Sequence, residues 1–149
     1  MKPSANEFVA GLLFGLGLVG FLDGILLHHI FQWHHMLSSV IPIRTLADMH
    51  VNMLADGLFD ALAWLLVVGG LAVLWQRIVQ PGSPPSPRRF LGALLLGGGA
   101  FNVGEGIIDH HLLRLHHVLP GPNELAWDLG FLAVGALLAL GGWWLLRTA

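Results

Sequence analysis

The sequence predicts an all-α protein, a four-helix transmembrane bundle built from two parallel-duplicated helical hairpins. Three observations carry that expectation. Of 149 residues, 55% are hydrophobic and only 11% charged, too few polar side chains to cover a soluble domain of this size. Four apolar stretches reach the roughly 20 residues that a helix needs to cross a bilayer. A block of thirteen residues recurs without gaps at an offset of 82: Asp23-Gly-Ile-Leu-Leu-His28-His29-Ile-Phe-Gln-Trp-His34-His35 aligns with Glu105-Gly-Ile-Ile-Asp109-His110-His111-Leu-Leu-Arg-Leu-His116-His117.

The spans are expected at about Phe8–Phe31, Leu54–Trp75, Phe90–Leu113 and Leu125–Leu146. The first follows a single lysine, lacks a clear small-residue cleavage site and carries Asp23 and a histidine run at its end, so it is expected to be a helix of the mature protein rather than a secretory signal. Gln80-Pro-Gly-Ser-Pro-Pro-Ser-Pro87 cannot be helical through its prolines. It divides one membrane domain, residues 1–149, into a hairpin at about 6–79, a linker at about 80–88 and a second hairpin at about 89–147. The second helix of each hairpin also repeats, Asn52-x-x-x-Asp56-x-x-Phe59 against Glu124-x-x-x-Asp128-x-x-Phe131 at an offset of 72, which makes the first interhelical loop ten residues longer. Two hairpins running the same way imply a pseudo-two-fold axis along the membrane normal, with the first and third helices facing each other. Glycines on those two helices suit close packing, Gly24 with Gly106 above all.

Basic residues set the orientation. Lys2, Arg77, Arg88, Arg89 and Arg147 lie at one end of the helical path, Arg44 and Arg114 at the other. The expectation is a plasma-membrane protein with both termini cytoplasmic and the histidine clusters outside.

Eight of the nine histidines fall in the repeated blocks, each pair of pairs preceded by an acid. On a straight helix Asp23, His34, His35 and His28 share a sector of about 140°, and Glu105, His116, His117 and His110 repeat it. His28 and His35 would stand about 10 Å apart along one helix, so a single ion would draw ligands from one level of both helices, His28 with His110 or His35 with His117. Imidazole suits copper, iron and zinc, and carboxylate favours iron or zinc. His50 stands near Met36, Met49 and Met53, a thioether and imidazole set that favours copper. The candidate metal residues are therefore His28, His35, His110, His117, Asp23, Glu105, His34, His116, Asp56, Asp128 and His50. Ionised acids within spans are costly unless paired, so Asp23, Glu105, Asp56 and Asp128 are expected to face a polar interior.

Several chemistries are excluded or disfavoured. The chain has no cysteine and no tyrosine, which removes disulfides, thiolate metal sites and iron–sulfur clusters. No basic face supports nucleic-acid binding. The apolar inner halves of the helices, Gly11 to Gly20 and Leu65 to Leu74, argue against an ion path through the membrane. The leading expectation is transition-metal binding for metal handling or redox chemistry. Alternatives are a bis-His haem electron-transfer protein and a metal-dependent membrane oxidoreductase. Expected partners are the lipid bilayer, the metal ion, and either a second copy of the chain or a redox or metal-transfer protein.

The stretch from Asp23 to His35, then Asp56-Gly-Leu-Phe-Asp60, then Asn102-Val-Gly-Glu-Gly-Ile-Ile-Asp-His-His111 resembles small predicted bacterial membrane proteins catalogued as a domain of unknown function. The resemblance covers nearly the whole chain. It implies a four-helix integral membrane protein and supplies no activity.

Overall fold

The computed structural model describes residues 5–82 and 84–148. Lys2, used above for orientation, and Ser83 of the linker lie outside the described residues. Four helices run alternately up and down: α1 (Ala5–Asp23), α2 (Leu46–Val79), α3 (Pro87–Glu105) and α4 (Glu124–Arg147). α1 and α3 do not simply stop. Each continues into a wider π-helical segment, Gly24–Ile30 and Gly106–Leu112. With those segments included, all four helices are long and apolar enough to cross a membrane. The described residues contain no strand.

Local sequence explains the starts. Thr45 accepts a hydrogen bond from Asp48 N–H and Asp48 reaches back to the Thr45 N–H, so a capping box begins α2 at Leu46, eight residues before the expected span. The apolar run alone hid this start; the Thr45-x-x-Asp48 pattern is the signal for it. Ser86 accepts from Arg89 N–H and Pro87 occupies the first turn of α3, where a missing N–H costs nothing. The buried Glu7 of α1 accepts from Ser86 N–H at 2.6 Å, tying the linker to the first helix.

α1 and α3 form the centre of the bundle, α2 packs on α1, and α4 packs on α3. Backbones touch at the central crossing. A Cβ at Gly15 would strike the Leu94 carbonyl, and one at Gly97 the Leu12 carbonyl. Such close approach gains dispersion and stands in for the hydrophobic drive that lipid cannot supply. Gly24 and Gly106 serve a different contact from the one expected. Gly24 lies against Phe59 and Asp60 of α2, and Gly106 against Phe131 and Leu132 of α4, so each holds its own hairpin together. The helix outside is apolar, with Leu54, Leu58, Leu62, Trp64, Leu129 and Leu137 among its exposed residues. The largest fully buried side chains are polar: His28, His110, His116, Asn52, Asp56 and Asp128. This inversion, apolar outside and polar inside, is what lipid as a solvent selects.

Candidate metal centre

The ends of α1 and α3 fold back on themselves. In each π segment the closing N–H reaches five residues back, Phe31 to the Leu26 carbonyl at 2.8 Å and Leu113 to the Ile108 carbonyl at 2.7 Å. Gln32 (φ 52°) and Arg114 (φ 51°) then take left-handed backbone conformations and reverse the chain. The straight-helix wheel therefore fails beyond residues 30 and 112. His34 returns beside His28, ring centroids 4.5 Å apart, and His116 returns beside His110, 4.8 Å apart. His34 and His116 stack face to face between the two halves, 4.4 Å apart and inclined by 6°. The pairs predicted at one helical level, His28 with His110 and His35 with His117, are replaced by this centre around His34 and His116.

Two groups bring ligand atoms within 4.8 Å of one another: His28, His34 and His116, and Glu105, His110 and His116. All five side chains are buried. Asp23 adjoins the first group, its Oδ2 3.3 Å from His28 Nε2.

The Nδ1 atoms fix the tautomers. His34 Nδ1–H donates to the Val118 carbonyl at 2.8 Å, and His116 Nδ1–H donates to the Met36 carbonyl at 3.1 Å. Each central imidazole is thus aimed by a carbonyl from the opposite hairpin. His28 Nδ1–H donates to Asp56 Oδ1 at 2.9 Å, and His110 Nδ1 lies 3.4 Å from Asp128 Oδ1. A carbonyl only accepts, so Nε2 of His34 and His116 carries the lone pair in the neutral ring. Burial, reinforced by the neighbouring His116 and His28, pushes His34 down to about 2. Burial also lowers His116. Both are neutral imidazoles at physiological pH, the form that binds metals.

Asp56 and Asp128, expected as ligands, are occupied otherwise. Asp56 Oδ1 accepts from His28 and from Met36 N–H at 2.8 Å, and Oδ2 accepts from His35 Nδ1–H at 2.6 Å. Asp128 repeats this with Val118 N–H at 3.0 Å and His117 Nδ1–H at 2.7 Å. They orient the imidazoles and cap the returning chain. His35 and His117 are half-buried and belong to neither ligand group. His29 donates to Asp60 at 2.9 Å on the exposed side. His50 is exposed on α2, outside both groups, and Met49 and Met53 are exposed as well. Met36 enters through its backbone alone in the bonds described above.

The halves differ in cover. In the first, Leu37 N–H donates to Asn52 Oδ1 and Asn52 Nδ2 donates to the Ile41 carbonyl, which lays the longer loop over Asp56. In the second, a polar cavity of about 420 Å³ opens beside His110 and His117, lined also by Arg114, Glu124 and Asp128.

The sequence predicts the second His-His pair of each block on a straight helix; the structure instead turns the chain at Gln32 and Arg114, two positions before His34 and His116, and carries those two rings inward.

No curated protein and no solved structure matches the chain. Residues 10–149 match the family described as predicted membrane protein, DUF2243. A match over that length, on four helices each long and apolar enough to cross a bilayer, makes this chain a member of that family of membrane proteins.

Proposed function

We propose that the protein holds a transition-metal ion between its two hairpins, through Nε2 of His28, His34, His110 and His116 with Asp23 and Glu105 as carboxylate ligands. The observation that carries this reading is ring nitrogen facing carboxylate in both halves, with Nδ1 of each ring already committed elsewhere. Nδ1–H of His116 is committed to a carbonyl, yet its Nε2 lies 3.3 Å from Glu105 Oε1. Nδ1–H of His28 is committed to Asp56, yet its Nε2 lies 3.3 Å from Asp23 Oδ2 and makes no hydrogen bond. A lone pair against a carboxylate oxygen repels unless a proton or a metal cation sits between them, and a metal ion would take the proton's place. Nε2 of His34 and of His110 is likewise buried without a partner. A dication satisfies several of these atoms at once and offsets the two acids, which among the described residues pair only with histidine. Within each group of three the ligand atoms lie within 4.8 Å of one another, and tetrahedral coordination at about 2.0 Å would draw them to about 3.3 Å, with the remaining members of the six completing the shell or accepting from the ligands.

Met49 and Met53 are exposed on α2 and stand outside both groups, which weakens the case for a thioether-based Cu(I) site. The set of imidazoles and carboxylates suits iron, zinc or Cu(II). The haem alternative draws less support, because His34 and His116 stack directly on each other and leave no gap for a porphyrin between those two rings. The excess of Arg77, Arg88, Arg89 and Arg147 at the opposite end supports a centre facing out of the cell, where the 420 Å³ cavity admits ions from water. The role we assign is metal handling or redox chemistry at that face. A duplicated hairpin accounts for the same contacts recurring in both halves.

Metal analysis of the purified protein after exposure to copper, iron and zinc tests the reading. We expect stoichiometric metal in the wild type, its loss in His116→Ala, and retention in His50→Ala. A folded wild type that takes up none of the three, or a His116→Ala variant that binds as the wild type does, refutes it.

A further inference from the structure

About two turns deeper than His28 and His110, the two halves differ. At the constant offset of 82, Phe101 stands where α1 has Val19, and Asn102 where α1 has Gly20. Phe101 packs against Phe59 of α2, ring centroids 5.9 Å apart, and fills the seam between α3 and α2. Val19 is too short to do the same opposite. The seam between α1 and α4 stays open as two adjoining clefts of about 270 and 370 Å³. Leu27, Asn102, Phe131 and Val134 line both, and the first reaches Asp23. Val134 and Leu22 at the rim are more than half exposed, so the opening faces sideways, toward lipid.

Apolar walls alone would be filled by any acyl chain. Asn102 is the exception. It is 5% exposed, and its carboxamide oxygen has no hydrogen-bond partner. An unpaired amide in an apolar, membrane-level site costs stability, and the matching position Gly20 shows that the architecture does not require a polar residue there. A carboxamide both accepts and donates, and a hydroxyl group complements it in both senses.

We propose that the α1–α4 cleft binds a membrane-soluble alcohol or phenol, with the hydrocarbon body along Val19, Val134 and Leu138 and the hydroxyl on Asn102. The clefts fall at the small end of ligand-site volumes, and the bilayer supplies the route of entry. The hydroxyl would then lie on the side of the cleft that reaches Asp23.

The test uses two photoreactive probes of equal chain length, a long-chain alcohol and the corresponding alkane, on the purified full-length protein in lipid nanodiscs. Labelled residues are mapped by mass spectrometry. The alcohol is expected to label the α4 wall around Val134 and Leu138 roughly tenfold more than the alkane, the worth of one buried hydrogen bond. Asn102→Leu is expected to abolish that preference. Val134→Trp, at an exposed rim position, is expected to block labelling by both probes while leaving helicity intact. Equal labelling by the two probes, a preference that survives Asn102→Leu, or labelling that survives Val134→Trp overturns the proposal. Labelling needs no bound metal, so its outcome is separate from that of the metal reading.

Discussion

Asp56 carries three donors on two oxygens, and that saturation defines its role. An Asn in its place would turn an NH₂ group toward a donor it now accepts, leaving at least one buried N–H unsatisfied at a cost of about 1–3 kcal/mol. His28 would lose the partner that fixes its tautomer. We therefore expect Asp56→Asn to weaken metal affinity about 10- to 100-fold while leaving the saturating stoichiometry unchanged, as read by competitive titration against a chelator. A loss of stoichiometry would make Asp56 a ligand instead. His34 gives a second prediction at this scale, for the protein freed of metal. Its folded value near 2 lies below the ordinary 6.5, so the unfolded chain binds the proton and the folded one does not. The stability that neutral His34 confers is complete above pH 6.5 and falls as pH drops toward 2. By pH 5 the loss is about 2 kcal/mol. His34→Gln removes this titration, and its thermal midpoint should fall less than the wild type's between pH 7.5 and pH 5. Equal falls in the two proteins would show that His34 charges freely in the fold.

The π segments are the elements that make the centre, because a regular helix would carry His34 and His35 along the axis and away from His28. Their reversal rests on Gln32 and Arg114 in left-handed backbone, a conformation that costs a residue with a Cβ about 1–2 kcal/mol. A β-branched side chain suffers most there and glycine least. Gln32→Ile should therefore lower stability by about 1–2 kcal/mol relative to Gln32→Gly, measured by thermal unfolding in detergent; equal stabilities would mean that the turn relaxes without cost. The same elements mark how far the sequence could be read. The four helices, the acid–histidine blocks and their offset were legible because hydrophobic length and a repeated His-His spacing at one offset are one-dimensional signals. Asn52, Asp56 and Asp60 were legible as a stripe, and each does reach back from α2 to the end of α1, holding the loop, His28 with His35, and His29 in turn. The helix ends were not legible. A π segment shares its composition with an α-helix, and neither Gln32 nor Arg114 is a glycine that would have announced the turn. Which histidines meet depended on that single reversal.

Across the whole molecule, the centre belongs to neither hairpin. His34 takes its orientation from the Val118 carbonyl and His116 from the Met36 carbonyl, while Ser39 N–H donates to the Leu115 carbonyl at 2.9 Å to join the two returning chains. Below them the backbones of α1 and α3 touch at Gly15 and Gly97, a contact that either hairpin alone leaves open. The linker between the hairpins sits at the far end of the bundle and adds its Ser86 bond to Glu7. Cutting the chain within the linker should therefore spare every contact of the centre, if the two pieces meet in one membrane. We expect fragments 1–82 and 84–149, expressed together, to purify as a complex that binds metal like the intact chain, and either fragment alone to bind none. Replacing Gly97 with leucine in the second fragment should prevent assembly, since its side chain would occupy the space of the Leu12 carbonyl. Metal bound by a lone hairpin with wild-type affinity would mean that one histidine block suffices, and that the stacked pair His34 and His116 is packing rather than a shared centre.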